Sequence, residues 1–308
     1  MKSFRYREKG TAIHRLNPFC KLAWLVSIFV LALIFNNPIY TFLLFLSTLP
    51  LVIAARVWRE WVAIMKYALY LCLAIIVINA LVSYHGSHLL WQAPFSIPII
   101  GAPVITLEAI FFGVGMSLRL LAIISAFTLL TFTIHPDDIM LAMIKMKLPY
   151  KSVLVTSLST RFIPTLIDDV ERISCVQRAR GLELDQGRLW QRIKSRMAII
   201  IPLLSNSLDR TVQVAEAMES RAFGSGGNRT FYKEITLSKL DVPVLILGLL
   251  PLALGIILRW WGQGVYQYYP TLGEIGFSGF ESAMLALLVF LLGMMLPLAL
   301  LKKRIELD

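Results

Sequence analysis

Residues 62–83 read VAIMKYALYLCLAIIVINALVS, a run with a single charge, Lys66. A helix needs about 20 mostly apolar residues to cross a bilayer. In lipid every backbone N–H and C=O must be satisfied within the structure, which restricts spanning segments to helices or closed barrels. Five further apolar runs, at 20–36, 38–55, 107–134, 241–261 and 281–301, repeat the pattern. Hydrophobic residues make up 57% of the 308, above the roughly 45–50% of soluble domains. The expected class is an all-α polytopic membrane protein with about six transmembrane helices plus a cytoplasmic module of long helices. Asn36-Asn37-Pro38 reads as the tight turn between the first two spans.

Charge orients the spans. The net charge is +11, which in a soluble chain would suggest nucleic acid. Here the positive-inside bias of membrane proteins explains it, and no nucleic-acid partner is expected. Loops 84–106 and 262–280 contain no Lys or Arg, whereas 135–240 holds 16 Lys/Arg against 11 Asp/Glu. The N-terminal tail, the connection bearing Arg56, Arg59 and Lys66, and the final Lys302-Lys303-Arg304 are all basic. Six spans with both termini cytoplasmic satisfy every loop. The first apolar run lacks a small-residue cleavage site and reads as an uncleaved span. Three parts follow: N-terminal spans 1–134, a cytoplasmic module 135–240, and C-terminal spans with a basic tail, 241–308.

The module carries helical periodicity. Ile163, Leu166, Ile167, Val170, Ile173 and Val176 recur at three- and four-residue steps, with Asp168, Asp169, Glu171, Arg172, Arg178 and Arg180 elsewhere. Asp168 and Arg172 stand at i,i+4. Pro164 suits a first turn and Gly181 the left-handed position past a last one. This predicts a helix over 165–180 with Arg180 at its tip. Leu204, Leu208, Val212, Ala215 and Met218 stripe a second helix starting near Pro202. It runs to Arg221 or slightly beyond and is stopped by the glycine-rich stretch at 224–227. Between the two, 188–200 carries Arg188, Arg192, Lys194 and Arg196 with Trp190, which fits a basic helix at the membrane interface.

Catalytic signatures are absent. The chain has no Gly-x4-Gly-Lys-Ser/Thr, HExxH, GxSxG or GxGxxG pattern. No enzyme activity, cofactor or metal centre is expected. Cys20, Cys72 and Cys175 lack metal spacing and read as packing residues. His85 and His88 form too small a ligand set for a transition metal. Asp137-Asp138 reads as a helix start, its carboxylates at the positive end of the dipole. Arg119, within the fourth span, has two readings: a functional intramembrane charge, or a cation paired with a carbonyl or snorkelling.

Arg180 and Arg221 also have two readings. A cation in a last turn contributes about 0.3–1 kcal/mol against the helix dipole. Alternatively, a guanidinium at a helix tip can fork onto a partner's carboxylate. Capping suffices for one arginine. It does not account for two tips of similar grammar, Ala179-Arg180-Gly181 and Ser220-Arg221-Ala222, on one module.

Four stretches carry a family resemblance: AIHRLNPFCKL (12–22), SLRLLAIISAFTLLTFTIHPDDI (117–139), LSTRFIPTLIDDVERISCVQRARGLEL (158–184) and PLLSNSLDRTVQVAEAMESRAFG (202–224). Together they resemble the transmembrane (T) subunit of energy-coupling-factor transporters, the EcfT/CbiQ-like family of prokaryotic ABC-type importers. The resemblance implies a multi-pass protein of the prokaryotic cell (inner) membrane that takes up a vitamin or metal ion with two partners. These are a pair of ATP-binding cassette ATPases, each receiving one arginine tip, and a small membrane-embedded substrate-binding (S) subunit. ATP would be bound by the partners. Two departures stand out. Ser-Arg-Ala replaces Ala-Arg-Gly at the second tip, and Phe19 stands where the family often has arginine. An ordinary ABC permease lining its own substrate path is the alternative, but no Glu-Ala-Ala loop precedes a suitable glycine. A membrane-embedded enzyme would need clustered acids or histidines, which Asp137-Asp138 alone does not supply.

Overall fold

The computed structural model describes residues 9–83, 86–92, 104–145, 149–182, 189–225, 241–273 and 279–305. The chain divides into two compact units, residues 1–139 with 235–308, and residues 140–234.

The first unit contains α1 (Ala12–Arg15), α2 (Pro18–Ile34), α3 (Pro38–Ala54), α4 (Trp58–Val82), the strands β1 (Leu89–Gln92) and β2 (Val104–Thr106), and α5 (Leu107–Thr133). α6 (Pro136–Lys145) begins in it and crosses the unit boundary. In the second unit lie α7 (Tyr150–Ala179) and α8 (Leu189–Ser220); α9 (Asp241–Trp260), α10 (Gly279–Gly293) and α11 (Met295–Ile305) return to the first. All six apolar runs are helical. Among the described residues, four helical stretches are long and apolar enough to cross a membrane: α4, α5, α9 and Gly279–Leu301, which joins α10 to α11. α2 and α3 are apolar but shorter, 17 residues each, about 25 Å. This is an all-α multi-pass membrane protein. The sequence reading missed the antiparallel β1–β2 hairpin, because each strand is too short to show a period.

α5 is the centre of the first unit, packing on α2, α3 and α4. Its buried face is built from small residues, Gly113, Gly115, Ser117, Ala122, Ser125 and Ala126. At Gly113 an added Cβ would lie 3.0 Å from the Ile76 Cα, so glycine sets the close approach of α4. Ser125 Oγ accepts from Trp61 Nε1 at 2.8 Å and shares a 2.6 Å bond with Thr48. One hydroxyl thus ties α3, α4 and α5 without leaving a buried polar atom unpaired.

Opposite charges hold the two ends of α5. At its C-terminus the buried Lys21 donates from Nζ to the carbonyls of Thr133 (2.7 Å) and His14 (3.0 Å). At its N-terminus Glu108 is fully buried in the first turn. It accepts from His88 Nδ1 (2.7 Å), the His88 backbone N–H (3.0 Å) and Ser87 Oγ (3.0 Å). Cation at the C-terminus and anion at the N-terminus both complement the helix dipole.

The Asn17-Pro18-Phe19-Cys20-Lys21 stretch is explained by this junction. Asn17 caps α2 by accepting from the Phe19 N–H at 3.1 Å, and Pro18 occupies the first helical position. Asn17 and Cys20 also reach Asp241 at the start of α9. Three helix ends meet here, and each residue of the motif that takes part is structural.

The C-terminal end of α2 meets the middle of α5. Arg119 Nη2 donates to Phe35 O (3.0 Å) and Asn36 Oδ1 (2.8 Å), so this intramembrane cation holds the α2–α3 turn. The carbonyl pairing of Arg119 is formed. Tyr268 donates to Asn36 O at 2.9 Å. Burial pushes its phenol up to about 12, so it remains a donor at neutral pH. His88 spends one ring nitrogen on Glu108, and His85 lies outside the described residues. Among the described residues no group of three metal-ligating side chains occurs. Cys20 and Cys72 are buried packing residues as expected, but Cys175 is exposed: it projects from the polar α7, where little packs around it. α6 starts at Pro136, with the Asp138 N–H donating to His135 O at 3.0 Å, so Asp137-Asp138 is a helix start.

Candidate functional site

The second unit is polar and dominated by two helices. α7 spans 30 residues and α8 spans 32, about 45 and 48 Å. Both exceed the expectation. Pro164 and Pro202 lie inside the helices rather than at their starts. An interior proline removes one N–H and one intrahelical bond. Helical pattern continues on both sides of each, so one lost bond does not end the element. The basic stretch expected as a separate helix is therefore the first part of α8. Trp190 there is exposed; Arg188 lies outside the described residues.

α7 and α8 pack antiparallel. Arg210 forks from α8 onto α7, donating to Asp169 Oδ2 at 2.7 Å and Thr165 Oγ1 at 3.0 Å. Farther along, Gln177 Nε2 donates to Ala198 O at 3.2 Å. The expected Asp168–Arg172 pair is not formed; both side chains are exposed, and the neighbouring Asp169 faces α8. Nothing local to either helix signals the Asp169–Arg210 pair, because it depends on the antiparallel order.

The two helix ends share one construction. α7 closes with a Schellman motif: the Leu182 N–H donates to Gln177 O and the Gly181 N–H to Arg178 O, both at 3.0 Å, with Gly181 at φ +81. Arg180 is the C-cap. α8 closes identically in pattern. The Phe223 N–H donates to Met218 O (2.9 Å) and the Ala222 N–H to Glu219 O (2.8 Å), with Ala222 at φ +53. Arg221 therefore occupies the position that Arg180 occupies, and the helix stops there instead of running toward Gly224. Ala222 takes the left-handed conformation that glycine takes at the first tip, which costs a residue with a Cβ about 1–2 kcal/mol. Ser220 fits the last turn as Ala179 does, its hydroxyl donating to Ala217 O at 3.0 Å.

Both arginines are exposed, and among the described residues neither side chain makes a hydrogen bond or ion pair. They lie at opposite ends of the pair. Arg180 stands three residues past Gln177, and Arg221 eleven past Arg210. With the contact region between, the tips are up to about 40 Å apart along the axis.

The sequence matches known proteins. The family described as cobalt transport protein, CbiQ, matches residues 9–232. The chain belongs to this family. The match covers both the α5 junction and the two arginine tips. Among curated relatives, the energy-coupling factor transporter transmembrane protein EcfT of Streptococcus equi is 31% identical over 263 residues, 82% of this chain and 94% of the relative. The same-named protein of Streptococcus thermophilus is 32% identical over 259 residues, 80% of this chain and 95% of the relative. That of Bacillus subtilis is 29% identical over 265 residues, 83% and 97%. Family membership and the apolar helices together make this a membrane component of a transport system.

Proposed function

We propose that this chain is the T subunit of an energy-coupling-factor importer, transmitting ATP-driven motion from two ATPase subunits to a substrate-binding S subunit that carries a vitamin or metal ion. The observation that carries the reading is the pair of matched C-caps, each presenting an exposed and unpartnered guanidinium. Arg180 enters one ATPase and Arg221 the other, each meeting a carboxylate. The wide separation of the tips suits two partner bodies rather than one groove. The exposed apolar residues of α7 and α8, among them Ile163, Ile167, Leu204 and Leu208, suit the S subunit. The chain itself cleaves no ATP and holds no cofactor. Both termini and the second unit lie on the cytoplasmic side.

The test is co-purification of the ATPase subunits, with uptake, for Arg180→Ala, Arg221→Ala and both. If each arginine only caps its helix, loss is under about 1 kcal/mol and uptake barely changes. If each docks, each variant weakens assembly by roughly 2–5 kcal/mol, and the double variant loses the ATPases. The context Ala179-Arg180-Gly181 suggests from sequence that Arg180 is the stronger tip; the equal cap geometry predicts comparable losses instead. Wild-type assembly and uptake in the double variant would sink the proposal. In the same cells a cysteine at Ser225, in a Cys-free background, should label with an impermeant reagent only after lysis.

A further inference from the structure

A groove of about 420 Å³ lies in the first unit where α2 and α9 end, lined by Leu33, Ile34, Asn36, Ile256, Arg259 and Trp260. Its polar lining consists of donors and no carboxylate. Asn36 Oδ1 already accepts from Arg119 Nη2 at 2.8 Å, which orients the amide and leaves its Nδ2 to donate. Arg259 sits in the last turn of α9, and its Nη1 is buried with no acceptor. The arginine side chain as a whole is half-buried, so the rest of the guanidinium faces outward. The walls are apolar and open to the surroundings of the bundle, Leu33 at 51% and Trp260 at 87% exposure. Trp261 beside them is exposed as well. Tryptophans and a cation at the ends of spans mark the headgroup level of a bilayer.

We propose that this groove seats a phospholipid, its phosphodiester between Arg259 and Asn36 and an acyl chain along Leu33, Ile34 and Ile256. A phosphate oxygen supplies an anionic acceptor to the exposed part of the guanidinium, a charge-assisted contact that arginine favours. The apolar walls continue the site toward the hydrocarbon, so a free phosphate ion satisfies only half of it.

The experiment uses the full chain purified in a sugar-headgroup detergent, with phosphatidylglycerol titrated in mixed micelles and bound lipid counted by native mass spectrometry. Wild type should retain lipid at one tight site. Arg259→Gln should weaken that site about ten-fold, the loss of one charge-assisted contact. Leu33→Trp keeps the cation but fills the apolar wall, and should also lower occupancy, which covers the case in which the arginine variant does not fold. Inorganic phosphate at the same concentration should neither compete nor stabilise. Unchanged lipid binding in Leu33→Trp and in a folded Arg259→Gln would overturn the proposal, as would equal stabilisation by inorganic phosphate.

Discussion

Lys21 and the two tip arginines are all cations at helix C-termini, and their surroundings are opposite. Lys21 is buried, and its ammonium is spent on the carbonyls that end α5 and on α1. Arg180 and Arg221 sit at the ends of their own helices, exposed, while backbone N–H groups alone close each cap. A cation that consumes its hydrogen bonds inside the fold holds the fold. One whose helix end is already satisfied without it remains available to a partner. Lys21 completes its contacts within the first unit, whereas the two tips of the second leave theirs open.

The largest effect that bears on this contrast should come from Lys21→Met. It leaves two carbonyls at a helix junction without a donor, at roughly 1–3 kcal/mol each when buried. Thermal unfolding in detergent should show a loss of about 3 kcal/mol. A variant as stable as wild type would mean that Lys21 is dispensable to the junction. Next comes Arg210→Ala, which cuts the tie between α7 and α8. The pair is only partly buried, with side-chain exposures of 33% and 12%, so about 1–2 kcal/mol is expected. Spin labels near the two tips should report a broadened distance distribution. An unchanged distribution would remove the tie from the account. The smallest effect concerns the caps. Ala222→Gly should stabilise the end of α8, and Gly181→Ala destabilise the end of α7, by about 1 kcal/mol each. Hydrogen exchange at Phe223 and Leu182 reads both. The same sign at the two sites would contradict the shared motif.

The spans were legible because bilayer length and composition leave few alternatives, as in residues 62–83. The Asn17-Pro18-Phe19-Cys20-Lys21 stretch was legible as a pattern but not as a mechanism: that Lys21 reaches Thr133 depends on a contact 112 residues away. Gly181 announced its helix end because glycine is the usual left-handed residue. Ala222 did not, since alanine favours continuing a helix. Pro164 and Pro202 misled for the reverse reason, as proline more often begins a helix than interrupts one. The Arg119 bond and the Asp169–Arg210 fork required tertiary order that no local window contains.

The placement of the tie between α7 and α8 has a mechanical consequence. Taken about Asp169 and Arg210, the lever arms are equal, about 16 Å to each tip at 1.5 Å per residue. A change of about 10° in crossing angle then displaces each tip by about 3 Å. Partners pulling on the two tips would therefore work through equal strokes, and equal forces would give equal torques about the tie.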